Sequence, residues 1–218
     1  MMLSLSKLFK PFLFLLSLVP FLYLLYAVFM NPDVLGANPV EYITHETGAW
    51  SLRFLLLTLL MTPLRRYTGW TFPIRIRRML GLFAFFYVTV HFFIYAGLDL
   101  GLDFSLLGED ILERPYITIG FLAWLLLIPL AVTSTNAMMR RLGRRWKKLH
   151  SLVYLIGFLG VVHFIWLIKK DLQEPLIYAA IFIALMMTRI PWKKLKSRVL
   201  FFKSKQHSAN SALKDTVS

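Results

Sequence analysis

Cysteine is absent from the 218-residue chain. Its absence removes disulfides, thiolate zinc sites, iron–sulfur clusters and thiol nucleophiles from the available chemistry. Charge is also scarce: charged residues make up 17% of the chain and apolar ones 58%, against about a quarter and about half in a soluble domain. Acidic residues are few, eleven against twenty-five Lys and Arg. Strand-like alternation is missing, and so is any G-x-G-x-x-G turn opening a helix, which leaves no legible dinucleotide-binding unit. No C-x-x-C-H run exists to fasten a haem covalently. The apolar excess is gathered instead into long runs, so lipid is the solvent this sequence is written for.

Six such runs occur, at about 8–30, 48–64, 79–98, 116–132, 149–168 and 175–190. A helix crossing a bilayer needs about 20 mostly apolar residues, with about 17 as the lower end. The first, third and fifth runs meet this alone, and the others need their flanks. Isolated strands cannot satisfy their backbone in lipid, so the expected fold is all-α, an integral membrane bundle of six transmembrane helices. The expected organisation is a cytoplasmic N-terminus over 1–7, one helical domain over 8–190 and a flexible basic tail over 191–218. Lys7 and Lys10 before the first run resemble a signal peptide. The run is too long for one and no small-x-small cleavage site follows, so an uncleaved first span is expected. No internal repeat is apparent.

The net charge of +14 at first suggests nucleic acid, but its placement says otherwise. Twenty Lys and Arg fall in the two termini and in the second and fourth connections, and three fall in the first, third and fifth. Ten of the eleven acids lie on the side poor in Lys and Arg. Basic residues stay in the cytoplasm, so both termini are expected there, with the acidic loops outside. Trp50, Trp70, Trp146, Trp166 and Trp192 fall at or near the expected span ends, where indole rings favour the headgroup layer.

Three of the five histidines, His91, His150 and His163, lie within apolar runs. Ionisable residues in spans are costly and face the bundle interior, so each is a site candidate. His91 lies twelve residues past Met79 and His163 fourteen past Leu149, about 18 and 21 Å along outward-running helices. The two imidazoles therefore reach nearly one level in the outer half of the bilayer. Two His at matched depth on different helices can supply both axial ligands of a b-type haem. His150 sits about 19.5 Å below His163 and roughly 140° around the helix, so the two share a seam only if the helix bends, for which Gly157 and Gly160 are candidates. Opposite His150 the third span offers Arg77 and Arg78. Its role stays open between a second haem with an unidentified partner ligand, a quinone or flavin site, and an interfacial residue of the basic loop.

Arg53, one turn inside the outer end of the second span, is a candidate to neutralise a haem propionate or quinone oxygen, or else snorkels to the headgroups. Arg77 and Arg78 are candidates for a flavin phosphate or propionate at the inner face, although sidedness alone explains them. His45 reads as a solvated loop residue, and His207 in the tail as inert. Asp99, Asp103, Glu109, Asp110 and Glu113 either steer a basic partner or simply keep their loop in water.

The run Arg77-Arg78-Met79-Leu80-Gly81-Leu82 with Tyr87 and His91 resembles the third-span signature of the ferric reductase-like transmembrane superfamily. So does Gly143-Arg144-Arg145-Trp146 with Leu149-His150, Tyr154 and His163. Within that superfamily the chain, from about 20 to 190, is similar to the haem-binding membrane subunits of bacterial methionine sulfoxide reductase systems. Leu35-Gly36-Ala37-Asn38-Pro39-Val40, Thr62-Pro63-Leu64, Arg114-Pro115-Tyr116 and Thr133-Ser134-Thr135 carry that closer resemblance. It implies haem b held by His91, His150 and His163, FMN as a further cofactor, and a place in the bacterial inner membrane. It also implies electrons from the quinone pool or a cytoplasmic flavin reductase, delivered to a periplasmic molybdopterin-containing subunit that reduces methionine sulfoxide in oxidised proteins. NADPH oxidases of the superfamily use four haem-ligating His; here the inner third-span position is not His, so their two-haem arrangement does not carry over. With only a short basic tail after the last run, the chain is expected to draw its reducing equivalents from elsewhere. Two other functions compete: a transporter with a His proton relay, which predicts broken helices and repeat symmetry, and an assembly or anchoring subunit, which has no reason to match His depths.

Overall fold

The computed structural model describes residues 2–168 and 171–190. The expected tail over 191–218, with Trp192 and His207, and the pair Lys169 and Lys170 lie outside the described residues. Every regular element among the described residues is helical. The α-helices in chain order are α1 (Met2–Met30), α2 (Pro39–Thr68), α3 (Phe72–Ile94), α4 (Phe104–Glu113), α5 (Pro115–Val132), α6 (Asn136–Leu142), α7 (Arg144–His150), α8 (Leu152–Leu167) and α9 (Gln173–Met187), with a 3-10 turn at Pro32–Leu35 and a π-helical turn at Tyr95–Asp99. Five stretches are long and apolar enough to cross a membrane, the fifth formed by α7 and α8 together. α9 is a shorter apolar helix. The chain is thus an all-α, multi-pass membrane bundle.

Local chemistry explains where the helices depart from the apolar runs. α2 begins nine residues before its apolar run, because Asn38 caps it. The Asn38 side chain accepts from the Glu41 N–H at 3.3 Å and donates to the Glu41 carboxylate at 2.9 Å. Pro39 follows in the first turn, where its missing N–H costs nothing. The helix stops at Gly69, whose φ of 73° lets its N–H close on the Arg65 carbonyl, a left-handed cap that favours glycine. Trp50 is consequently not at a helix end but well inside α2, against Phe54 and Tyr87. The third connection is not a simple loop: Asp103 accepts from the N–H groups of Ser105 and Leu106 and so starts α4.

The helices associate in two pairs, α2 along α3 and α5 along α8. α1 packs on the first pair, and α9 on α8 and α2. The core between them is aromatic and aliphatic, with Ala84, Tyr87 and Ile156 nearly fully buried. Exposed large apolar side chains cover the periphery, for instance on α1 and α9, as lipid-facing helices require.

Tyr87 serves α1. Pro20 lies inside that helix, where its ring opens the local ladder. The Tyr87 hydroxyl accepts from the Phe21 N–H at 3.1 Å and donates to the Ser17 carbonyl at 2.9 Å, bridging the two groups on either side of the proline. In lipid these groups have no water to turn to. Tyr87→Phe is therefore expected to destabilise the fold by about 2 kcal/mol, the cost of stranding buried polar groups. A lowered thermal midpoint in detergent checks this, and an unchanged midpoint contradicts it.

Candidate functional site: two imidazoles across an apolar cavity

α2, α3, α5 and α8 enclose a cavity of about 810 Å³ toward the end of the bundle that carries the acidic loops. Its inner wall is apolar, with Leu52, Leu55, Leu127 and Ile156, and its mouth is polar, with Asn38, Glu41, Tyr95 and Arg114. α4 roofs it through Leu107 and Ile111. The roof is tied down by the Tyr95 hydroxyl, which donates to the Asp110 carboxylate, and by the Arg114–Asp110 ion pair at 3.1 Å.

His91 from α3 and His163 from α8 face one another across this cavity, ring centres 6.3 Å apart and planes at 80°. His91 Nδ1 lies 2.8 Å from the Thr44 carbonyl and His163 Nδ1 2.7 Å from the Tyr116 carbonyl. A carbonyl can only accept, so each Nδ1 carries the proton and each Nε2 keeps a free lone pair. Among the described residues no hydrogen bond engages either Nε2. This is the tautomer a metal ligand needs, held by the outer-shell carbonyl that such ligands use. A metal–imidazole bond of about 2 Å on each side, with about 1.2 Å more from nitrogen to ring centre, asks for about 6.4 Å between ring centres. The observed spacing matches. No group of three or more His, Asp or Glu with metal-binding geometry exists among the described residues. A metal gripped here would bring its remaining donors with it, as a porphyrin does. The cavity volume falls within the range of cofactor sites, and the buried Thr44 hydroxyl on its wall has no partner. These residues fit a haem.

A glycine makes room for each imidazole. A Cβ on Gly48 would stand 3.1 Å from the His91 ring, and one on Gly120 2.8 Å from the His163 ring. The pattern is the same twice over: a carbonyl, a glycine four residues on, then the histidine forty-three residues further. Thr44, Gly48 and His91 become Tyr116, Gly120 and His163 on adding 72. The absence of a repeat expected from the sequence is thereby corrected. α2–α3 and α5–α8 are a parallel pair of units, and their two histidines meet between them. Carbonyl and glycine positions were missed because backbone groups leave no side-chain signature; a search at fixed offset from the two histidines would have found them.

The other candidates fall elsewhere. His150 lies not in this cavity but in a second one of about 370 Å³ at the basic end, which Arg77 and Arg78 also line. On the same offset of 72, the position that answers to His150 is Arg78, which is why no second imidazole faces it. Leu55 and Leu127, themselves 72 apart, line both cavities and form the partition between them. Between His150 and His163 the helix is interrupted only at Ser151, between α7 and α8, where φ of −70° and ψ of −17° stay helical and the N–H still reaches the Lys147 carbonyl at 3.1 Å. Gly157 and Gly160 are instead points of close packing, against Phe182 and Leu52. Arg53 is not among the residues lining the acidic-end cavity. Its Nε donates to the Tyr178 hydroxyl at 2.6 Å, and it pairs with Glu174 at 3.5 Å and Glu46 at 3.6 Å, which ties α2 to α9. His45, read as a loop residue, stands on α2, lines the cavity, contacts the Phe164 ring and lies 3.9 Å from Glu174. The Asn38-Pro39 helix start is the sequence signal that could have put it on a helix.

The family described as ferric reductase like transmembrane component matches residues 47–161, stopping two residues short of His163. Among the most similar proteins is the protein-methionine-sulfoxide reductase heme-binding subunit MsrQ of Xanthomonas euvesicatoria, 57% identical over 166 residues, 76% of either chain. The subunit of the same name from Herminiimonas arsenicoxydans is 48% identical over 197 residues, 88% of this chain and 89% of that one. With its paired helices, its cavity and these similarities over most of its length, the chain belongs to the ferric reductase-like transmembrane family, in the group of the MsrQ subunits.

Proposed function

We propose that the chain is a membrane b-type cytochrome that passes electrons to a periplasmic molybdopterin-containing methionine sulfoxide reductase, for the repair of oxidised proteins. One observation carries the reading: two facing imidazoles with free Nε2 atoms, ring centres 6.3 Å apart, in a chain whose relatives are named protein-methionine-sulfoxide reductase heme-binding subunits. Haem, when bound, supplies a one-electron redox centre that protein side chains lack. His91 and His163 would hold it. The Thr44 and Tyr116 carbonyls fix their tautomers and strengthen both as donors, and the apolar inner wall keeps water away, which raises the weight of every charge nearby.

In this reading the acidic end faces the periplasm and the basic end the cytoplasm of a bacterial inner membrane. Residues 8–190 form the haem-binding domain and 191–218 a basic cytoplasmic tail. Electrons enter at the basic end from the quinone pool or a cytoplasmic flavin reductase, with FMN as a further cofactor. A second haem at His150 would need a ligand other than a facing histidine. The transporter alternative shares the repeat, yet here the repeat converges on two imidazoles rather than on unwound, carbonyl-lined backbone.

The visible spectrum of the purified chain tests the proposal. A b-type haem reducible by dithionite is expected; a colourless protein overturns the reading in favour of a transporter or anchoring subunit. The purified chain alone is expected to reduce no methionine sulfoxide, and turnover without a partner contradicts the assignment of catalysis to another subunit.

A further inference from the structure

α4 joins two membrane-crossing stretches, beginning five residues after the one that ends at Asp99 and ending two before the one that starts at Pro115. The chain before it folds back on the end of α3, with the Leu100 N–H on the Tyr95 carbonyl at 3.1 Å and the Leu102 N–H on the Ala96 carbonyl at 2.8 Å. The helix is therefore tethered at both ends, close to where the bundle leaves the hydrocarbon. At 3.6 residues per turn its side chains part into distinct directions. Leu107 and Ile111 face the cavity. Asp110 lies about 80° to one side, where it accepts from Tyr95 and pairs with Arg114. Glu109 points about 180° from the cavity, with Glu113 about 40° from Glu109. Phe104, Gly108 and Leu112 make the flank opposite Asp110, centred about 80° from the cavity, and no charged residue shares it. Phe104 is 79% and Leu112 85% exposed, the highest values of any large apolar side chain among the described residues. Leu102, just before the helix, is exposed too and has φ of 60°, a conformation that bulky residues rarely take. Phe93 on α3 and Leu98 in the π-helical turn are likewise exposed, so the lipid-facing periphery continues up to the level of α4.

We propose that α4 is an interfacial helix whose Phe104 and Leu112 flank enters the outer leaflet at the boundary of headgroups and acyl chains, and that the bilayer thereby holds the roof on the cavity. A helix lying in the membrane plane needs an apolar side in lipid and a polar side in water. α4 turns Phe104 and Leu112 to the first and Glu109 and Glu113 to the second. Interfacial helices that reach a membrane from solution carry basic residues to attract anionic headgroups. α4 has no basic residue and needs none, because the spans on either side already hold it at the surface. The flank that enters lipid adjoins the face that covers the cavity, so a helix that rolls out of lipid also turns Leu107 and Ile111 off the cavity. A soluble protein is the competing occupant of this flank; the short tethers and the continuity with the lipid-facing periphery favour lipid. The proposal does not rest on the proposed function.

Because the sequence has no cysteine, a single introduced one takes a nitroxide spin label at that position alone. Phe104→Cys, Leu112→Cys and Glu109→Cys are each labelled, and the full chain is placed in phosphatidylcholine nanodiscs. Molecular oxygen, which concentrates in lipid, and a water-soluble nickel chelate then report the surroundings of each label by power saturation. Labels at 104 and 112 are expected to meet oxygen and to be shielded from nickel, and the label at 109 to show the reverse. A common water-like response at all three positions overturns the proposal. So does shielding at 104 and 112 that arises only when a soluble reductase subunit is added, since the occupant is then a protein. The hold on the roof is read separately, by amide hydrogen exchange over residues 104–113 in the nanodiscs. Phe104→Ser combined with Leu112→Ser is expected to speed that exchange about tenfold or more, since burial of one such side chain is worth at least that factor. Unchanged exchange beside lipid-shielded labels overturns the hold. If the double variant fails to fold, Leu112→Ser alone makes the same comparison at the most exposed position. Haem absorbance in the same samples separates the two readings. Haem with water-exposed labels sinks only this proposal, and lipid-shielded labels without haem sink only the proposed function.

Discussion

Alanine in place of His91 or of His163 is expected to empty the acidic-end cavity of haem. Each change deletes one of the two imidazoles that stand 6.3 Å apart there, and among the described residues no His, Asp or Glu cluster offers a replacement. Losing only an outer-shell partner of a metal ligand costs about 10- to 100-fold in affinity, so losing the ligand itself should cost more. Low-spin absorbance per chain should fall to near background in both variants. His45 also lines the cavity and is the control. It is engaged by Glu174 and Phe164, and His45→Ala should keep the low-spin spectrum. If His45→Ala lost haem while His91→Ala kept it, the ligand assignment would be wrong.

What the sequence made legible here is the part written in side chains. Long apolar runs are unambiguous in lipid, and counting residues from the basic end put His91 and His163 at one level. Element ends were harder. Apolarity marks where a helix sits in lipid, not where its hydrogen bonds stop, so α2 was read as starting near 48 although Asn38 and Pro39 start it at the acidic end. That error hid His45. The fate of Arg53 was hidden for a different reason: its partners Glu174 and Tyr178 lie more than a hundred residues away, and only packing of α9 on α2 brings them within reach. The interruption at Ser151 is held by its N–H on the Lys147 and Lys148 carbonyls and its hydroxyl on Lys148, contacts that no apolar pattern records. The two-unit symmetry was least legible of all, because besides the two histidines and Leu55 and Leu127 it is carried by backbone carbonyls and two glycines, while Thr44 answers to Tyr116 and Arg78 to His150.

Those glycines give the second large effect. On helix propensity alone Gly120→Ala should help, since alanine is favoured over glycine in a helix interior by about 1 kcal/mol. The site reverses the sign for function. The added methyl would stand 2.8 Å from Cε1 and Nδ1 of His163, inside the repulsive wall, so the ring has to move. The same displacement pulls Nδ1 from the Tyr116 carbonyl, now 2.7 Å away, and with it the restraint on tautomer and orientation. Gly120→Ala is therefore expected to fold as well as the parent chain and to bind haem about 10- to 100-fold more weakly, the range for a lost outer-shell partner. At Gly48 the methyl would meet His91 at 3.1 Å, which a shift of a few tenths of an ångström relieves, so Gly48→Ala should lose less. Haem titration of the apo-protein, read beside the thermal midpoint, checks both halves of this statement. Equal affinity in both variants and the parent would mean that the close approach of helix backbone to imidazole does not set the ligand geometry. A common fall in affinity and midpoint would mean that these glycines serve packing instead. The separation of the two readouts, unequal between positions 48 and 120, is what the geometry requires.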